Sequence, residues 1–234
     1  MPDNGALPVG RAIWRDKLRL IRKRWWKRYY SQNGEDVVLT AIFDGLAKGC
    51  YVDVGSFHPR RYSNTRLLYE RGWWGINIDI SPRKIALFDF DRPGDCNVCC
   101  AVSDTAGELR AYVFGSGSAL DTTDRETADA WAEQFGIPYA ETCVPSRTLT
   151  SILDGSGAPR VDYLNIDVEG AEIAVLNGLD FSRYRPNCIT IEIHGDLEDA
   201  IASEAYGCLV AQGYEFSAWL RPTFFFTLSA PNGR

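Results

Sequence analysis

Only two histidines occur in the 234 residues, His58 and His194, so any role that needs an imidazole falls on one of two positions. No G-x-G-x-x-G stretch is present, which argues against the close backbone approach that a dinucleotide pyrophosphate requires. No apolar run approaches the roughly 20 residues of a bilayer-spanning helix, and no basic-then-apolar leader with a small-residue cleavage site is found. A cytoplasmic protein is expected. The seven cysteines are odd in number and irregularly spaced, which suits reduced thiols better than a disulfide framework. Cys96-Asn97-Val98-Cys99, followed by Cys100, has the C-x-x-C form, but no second pair completes a zinc site, and the run lies inside an apolar strand pattern. Buried structural thiols are the expectation there.

What is present begins with charge. Residues 1–30 carry nine Lys/Arg against Asp3 and Asp16, a net +7, which leaves −13 for the remainder of a chain whose total is −6. An acidic body argues against a nucleic-acid-binding surface on the main domain. Within the basic segment, Trp14, Leu18, Ile21 and Trp25 recur at helical spacing among cations, and Trp26 and Tyr29 widen the stripe. Such a helix lies on an anionic membrane, contacts a partner, or docks on its own domain with a solvated basic back.

From residue 31 the chain alternates strand and helix, with 45% hydrophobic residues to fill one core and no internal repeat. After a helix entry at 31–36, the run Tyr51-Val52-Asp53-Val54 reads as a buried strand that stops at Gly55-Ser56. A second strand, 74–79, ends on Asp79, 26 residues after Asp53. Cys96–Val102 reads as a third strand and Glu108–Phe114 as an additional one. Residues 115–146 interrupt the alternation, with a polar helix over Thr123–Phe135, and suit a lid, a substrate-selecting segment or surface decoration. Strands Val161–Asp167 and Cys188–His194 follow, then a helix Leu197–Gln212. The last two strands, Tyr214–Leu220 and Thr223–Leu228, are joined only by Arg221-Pro222 and must be antiparallel. The expectation is an α/β fold: a seven-stranded, mostly parallel Rossmann-like sheet, an antiparallel terminal pair and helices on both faces.

Four strand ends direct polar groups to one side: Asp53, Asp79, Asp167 with Glu169, and Glu192 with His194. In open α/β sheets ligands dock beyond the carboxyl ends of the strands, and an acid after the second strand commonly accepts both ribose hydroxyls. A nucleoside cofactor without phosphates, S-adenosylmethionine, fits the missing glycines better than NAD.

The ordered set SQNGED (31–36), YVDVGSFHP (51–59), SNT (63–65), GINIDISP (75–82), AVSD (101–104) and DYLNIDVEGAE (162–172), with Ile191-Glu192-Ile193-His194, resembles the FkbM family of S-adenosylmethionine-dependent O-methyltransferases. The likeness covers about residues 31–228. It implies a class I methyltransferase sheet and methylation of hydroxyls on sugars, glycolipids, polysaccharides, polyketides or related metabolites. It also implies cofactor contacts near Glu35, Asp53, Gly55, Ser56, Asp79, Ser103 and Asp104, with Asp167 as a further donor-positioning acid. The competing readings are an NAD-dependent dehydrogenase and a non-catalytic, membrane-associated scaffold of glycan assembly.

A hydroxyl acceptor is too weakly acidic to ionise unaided, so a general base or a cation must assist. The sequence offers His58 first, three residues past Gly55, and His194 second. Asp167, Glu169, Glu192 and His194 form an alternative oxygen-rich set for Mg²⁺ or Mn²⁺. A plainer role for the acids has Asp167 position the methyl donor while Glu169 begins the following helix.

Overall fold

The computed structural model describes residues 29–115 and 117–228. The basic amphipathic segment expected at 11–30 lies, apart from Tyr29 and Tyr30, outside the described residues. The chain enters through α1 (Glu35–Ile42), where Ser31 Oγ accepts the N–H groups of Gly34 and Asp36, the satisfied helix start that the serine suggests. It then builds β1 (Cys50–Val54), α2 (Arg66–Glu70), β2 (Trp74–Asp79), α3 (Pro82–Asp91) and β3 (Cys96–Cys99).

Beyond an excursion at 100–147 come α5 (Leu149–Ser156), β7 (Tyr163–Ile166), α6 (Glu172–Asn177), β8 (Cys188–Glu192), α7 (Leu197–Ala202) and α8 (Glu204–Ala211). The antiparallel pair β9 (Tyr214–Leu220) and β10 (Thr223–Leu228) closes the fold. The main sheet has the order β3-β2-β1-β7-β8-β10-β9, parallel except for β10 against its neighbours β8 and β9.

Strand alternation sorts the two faces. Val52, Val54, Ile76, Ile78, Leu164, Ile166, Ile189 and Ile191 form one apolar face beneath Leu149, Ile152 and Leu153 of α5, Val175 and Leu176 of α6, and Leu209 of α8. The opposite face packs Tyr51, Tyr163 and Phe225 against Leu39 of α1 and Leu68 of α2. Polar residues also cross that face in register, from Asn97 through Asn77, Asp53 and Asn165 to Thr190. They satisfy one another: Asn165 Nδ2 donates to Asp53 at 2.9 Å, Thr190 Oγ1 to Asn165 at 2.7 Å, and Asn77 Nδ2 to Asn97 at 2.9 Å. Fully buried Arg92 ties in at the edge through Thr65 Oγ1 (2.8 Å) and Ser63 Oγ (2.9 Å).

The excursion departs from the expected layout. The single strand read over 96–102 breaks at Cys100: β3 stays in the main sheet, whereas β4 (Ala101–Val102) starts a second, three-stranded sheet. There β6 (Ala140–Arg147) lies between β4 and β5 (Gly107–Val113), antiparallel to β5, and α4 (Arg125–Phe135) connects β5 to β6. Residues 115–146 therefore contain a strand paired along its whole length. The polar alternation of Glu141, Cys143 and Pro145 hid it. Helix α5 was not anticipated either, although Thr148 caps it through Ser151 N and Gly157 ends it. The single helix read over 197–212 is two, divided at Ser203, whose side chain caps the second. Cys99 is exposed, because β3 is the edge strand, so the thiol run is not uniformly buried.

Candidate active site

A cavity of about 300 Å³ opens at the carboxyl ends of β1, β2, β7 and β8. Gly55 marks its rim. The residue has φ +84°, and a Cβ built on it would fall 1.6 Å from the Asp167 carbonyl oxygen, so only glycine lets the turns after β1 and β7 approach this closely. The N–H groups of Gly55 and Ser56 both donate to Ile78 O, at 2.9 and 3.0 Å. The glycine thus serves backbone packing, and its own N–H is engaged within the protein. Ser56 is buried and does not line the cavity.

Asp79 does line it. Its Oδ1 accepts Ser81 N–H at 2.7 Å and its Oδ2 accepts the Lys84 ammonium at 3.2 Å. Lys84 Nζ also lies 3.4 Å from Asp121 Oδ2, so two buried carboxylates share one ammonium. Burial outweighs that attraction and pushes the Asp79 carboxyl up to about 6.

Across the cavity, Asp167, Glu169, Glu192 and His194 come together as the sequence suggests. Asp167 and Glu192 both line the cavity, and the pKa of each is raised, by burial first and by neighbouring carboxylates second. His194 Nε2 lies 3.3 Å from Glu169 Oε2 and 3.8 Å from Glu192 Oε1, and its ring meets Trp131 of α4 edge-on, with centroids 5.4 Å apart. The hydrogen bond to Glu169 is the main cause that raises its pKa, against an opposing effect of burial.

Glu169 adopts φ +54°, a left-handed backbone uncommon for a residue with a side chain. It does not begin helix α6. Glu172 does, and its carboxylate turns back to accept Gly170 N–H at 3.1 Å.

Among the described residues no group of three or more His, Cys, Asp or Glu side chains forms a metal-binding set. The four residues expected to hold Mg²⁺ or Mn²⁺ form no such set; His194 instead lies 3.3 Å from Glu169 Oε2 and 3.8 Å from Glu192 Oε1.

The other expected positions fall elsewhere. Asp53 points into the polar row, accepting from Asn165 and from Thr65 Oγ1 at 2.9 Å, because strand alternation turns it away from Val54, which does line the cavity. Glu35 is buried, accepting Asn33 N–H at 2.8 Å. Ser103 donates to Asp104 at 3.2 Å, and the neighbouring Cys100, Ala101 and Val102 face the cavity in their place. His58 is absent from the cavity wall. Its Nδ1 accepts the backbone N–H groups of Arg60 and Arg61, at 3.0 and 3.1 Å, and burial lowers its pKa. The nitrogen that would accept a proton is already used, so the two histidines exchange rank.

The sequence profile of the methyltransferase FkbM domain matches residues 53–220. The chain belongs to that family. No curated protein matches the sequence. Two solved structures are similar at a TM-score of 0.44 each. One is a TehB-like SAM-dependent methyltransferase from Corynebacterium glutamicum, 11% identical, with 95% of this chain and 100% of that chain covered. The other is a 1,6-didemethyltoxoflavin-N1-methyltransferase from Burkholderia thailandensis with bound 1,6-didemethyltoxoflavin and S-adenosylhomocysteine, 14% identical, with 98% and 94% covered.

Within this FkbM domain, sequence reading missed Lys84, Asp121, Thr122 and Trp131. Lys84 lies on α3 five residues past Asp79, a spacing that carries a signal once the helix start at Pro82 is known. The other three come from the 115–146 stretch, where no strand pattern indicated which residues turn inward. Among the described residues no helix is long and apolar enough to cross a membrane.

Proposed function

We propose that the cavity binds S-adenosylmethionine, with Asp79 accepting the ribose hydroxyls, and that His194 removes the proton of an acceptor hydroxyl on a sugar, glycolipid, polysaccharide or related metabolite. The observation that carries the reading is the His194–Glu169 pair facing the same cavity as Asp79. Fit to the cofactor rests on three features of the residues present. Asp79 is an acceptor-only carboxylate at the cavity wall once ionised, Ile78, Ile80 and Val102 give an apolar slot, and the acids after β7 and β8 provide a negative environment for a sulfonium.

When bound, the cofactor would supply an activated methyl group for the acceptor oxygen, with S-adenosylhomocysteine as the leaving group. The chain itself handles the proton. Both carboxylates near His194 approach Nε2 and favour the tautomer protonated there, which leaves the Nδ1 lone pair to take the acceptor's proton. Glu169 then stabilises the imidazolium. Trp131 packs on the ring edge and fixes its plane. No step is assigned to a metal ion.

The test separates this reading from a nicotinamide enzyme and from a scaffold. Calorimetric titration should show saturable binding of S-adenosylmethionine and none of NAD. Turnover against a panel of glycans and glycolipids should then give a methyl ether that His194→Ala abolishes. Binding of NAD in place of S-adenosylmethionine would overturn the cofactor assignment.

A further inference from the structure

Thr122 belongs to the loop between β5 and α4, and it is 1% exposed. Its backbone is fixed to β5 by two bonds, Tyr112 N–H to Thr122 O at 2.8 Å and Thr122 N–H to Tyr112 O at 3.1 Å. Its hydroxyl faces the other way and is used twice. Oγ1 donates to the carbonyl of Glu169 at 2.7 Å and accepts the N–H of Asp124 at 2.9 Å. Asp124 in turn caps α4 by accepting Thr127 N–H at 2.7 Å, and α4 carries Trp131. One side chain therefore anchors both immediate neighbours of His194: Glu169 through its carbonyl, and Trp131 through the start of its helix. The closeness is confirmed at Gly170, where an added Cβ would meet Thr127 Oγ1 at 2.4 Å.

We infer that Thr122 is a positioning residue, holding Glu169 in its left-handed backbone so that the carboxylate stays on His194 Nε2. The inference rests on the assignment of His194 and Glu169 as the proton-handling pair. The physical need is clear. A left-handed conformation at a non-glycine residue is strained and persists only where surrounding contacts impose it. Glu172 already holds the Gly170 N–H at 3.1 Å, and the Glu169 carbonyl is the turn's second hold, the one that Thr122 supplies. The groups facing the imidazole are Glu169 from the turn after β7, Glu192 from the end of β8, Glu172 from α6, and the neutral Trp131 ring from α4. Of the charged ones, Glu169 comes nearest, at 3.3 Å against 3.8 Å for Glu192, and it is the one Thr122 restrains.

With two histidines in the chain, the experiment reads each separately: NMR titration of the imidazole C–H signals in the full-length protein, assigned by His58→Gln. In the wild type, His194 should titrate above His58. Thr122→Val, which keeps the shape and removes the hydroxyl, should move the His194 midpoint down by about 0.5 or more, roughly a threefold change in proton affinity, with His58 unmoved. Thr122→Ser should restore the wild-type midpoint. If the valine does not pack, Thr122→Ala makes the same forecast. Glu169→Gln is the control on the underlying pair and must lower the His194 midpoint as well. A wild-type midpoint in Thr122→Val together with a lowered one in Glu169→Gln overturns the role of Thr122 alone. An unmoved midpoint in Glu169→Gln overturns the pair itself.

Discussion

The Gly55 Cα faces the Asp167 carbonyl so closely that a Cβ would lie 1.6 Å from its oxygen. The neighbouring strands β1 and β7 are thereby locked at their carboxyl ends, and the contact brings the Gly55 rim of the cavity to its acids. Gly55→Ala adds both a clash with backbone and a strained φ of +84°. We expect it to lower unfolding stability by about 3 kcal/mol, with a matching fall in the urea midpoint. A variant within about 0.5 kcal/mol of wild type would show that the turns separate without cost.

Asp79 should carry donor affinity. Asp79→Ala removes charge-assisted hydrogen bonds worth about 1.5–3 kcal/mol, roughly a 10- to 150-fold weaker affinity for S-adenosylmethionine by calorimetry. The pH dependence has a definite sign. The folded pKa is raised to about 6, so the carboxylate that accepts two hydroxyls is present above that pH and lost below it. Affinity should be constant from pH 7 to 8 and fall as pH drops through about 6. Affinity that rises in that direction would remove Asp79 from the ribose site.

Asp53 makes the contrasting forecast. It is 4% exposed and bound only to Asn165 and Thr65 by side-chain hydrogen bonds. Asp53→Ala leaves the Asn165 amide without its acceptor inside the sheet, at a cost of about 2–3 kcal/mol in stability. Donor affinity in the folded fraction should stay within about threefold, since the side chain does not reach the cavity. A selective loss of affinity at unchanged stability would return Asp53 to the cofactor site.

How far this was legible in the sequence follows from what each signal reports. Val52, Val54, Ile76 and Ile78 announce buried strands because burial on both faces requires apolar runs, and Arg221-Pro222 allows only an antiparallel return. The seven-stranded main sheet was therefore readable, antiparallel pair included. The face that Asp53 takes was not readable, because one-residue alternation decides it and a carboxylate near a strand end looks the same on either face. His58 and His194 were distinguishable only in three dimensions. The backbone N–H groups of Arg60 and Arg61 that occupy the His58 ring nitrogen leave no trace in residue identity. The contacts of Thr122 with Glu169 and of Lys84 with Asp121 were illegible for a related reason, since the partners lie 47 and 37 residues apart.

The metal question can be settled without knowing the acceptor in advance. Donor-dependent activity should be unchanged after exhaustive chelation and should not be stimulated by added Mg²⁺ or Mn²⁺, because the account gives proton removal to His194, paired with Glu169, and no step to a cation. Loss on chelation with recovery on re-addition of either ion would mean that the acids rearrange around a cation.

The most direct measurement is methyl transfer from methyl-tritiated S-adenosylmethionine to a glycan and glycolipid panel, followed over pH in the wild type, His194→Ala and His58→Ala. A base must be neutral, and the His194 pKa lies above its ordinary 6.5, so the wild-type rate should rise with pH through a midpoint above that value. His194→Ala should lose about 10²–10⁴-fold in rate, while His58→Ala should stay within about threefold of wild type when folded. Label on an acceptor hydroxyl that persists at the wild-type rate in His194→Ala would contradict the account.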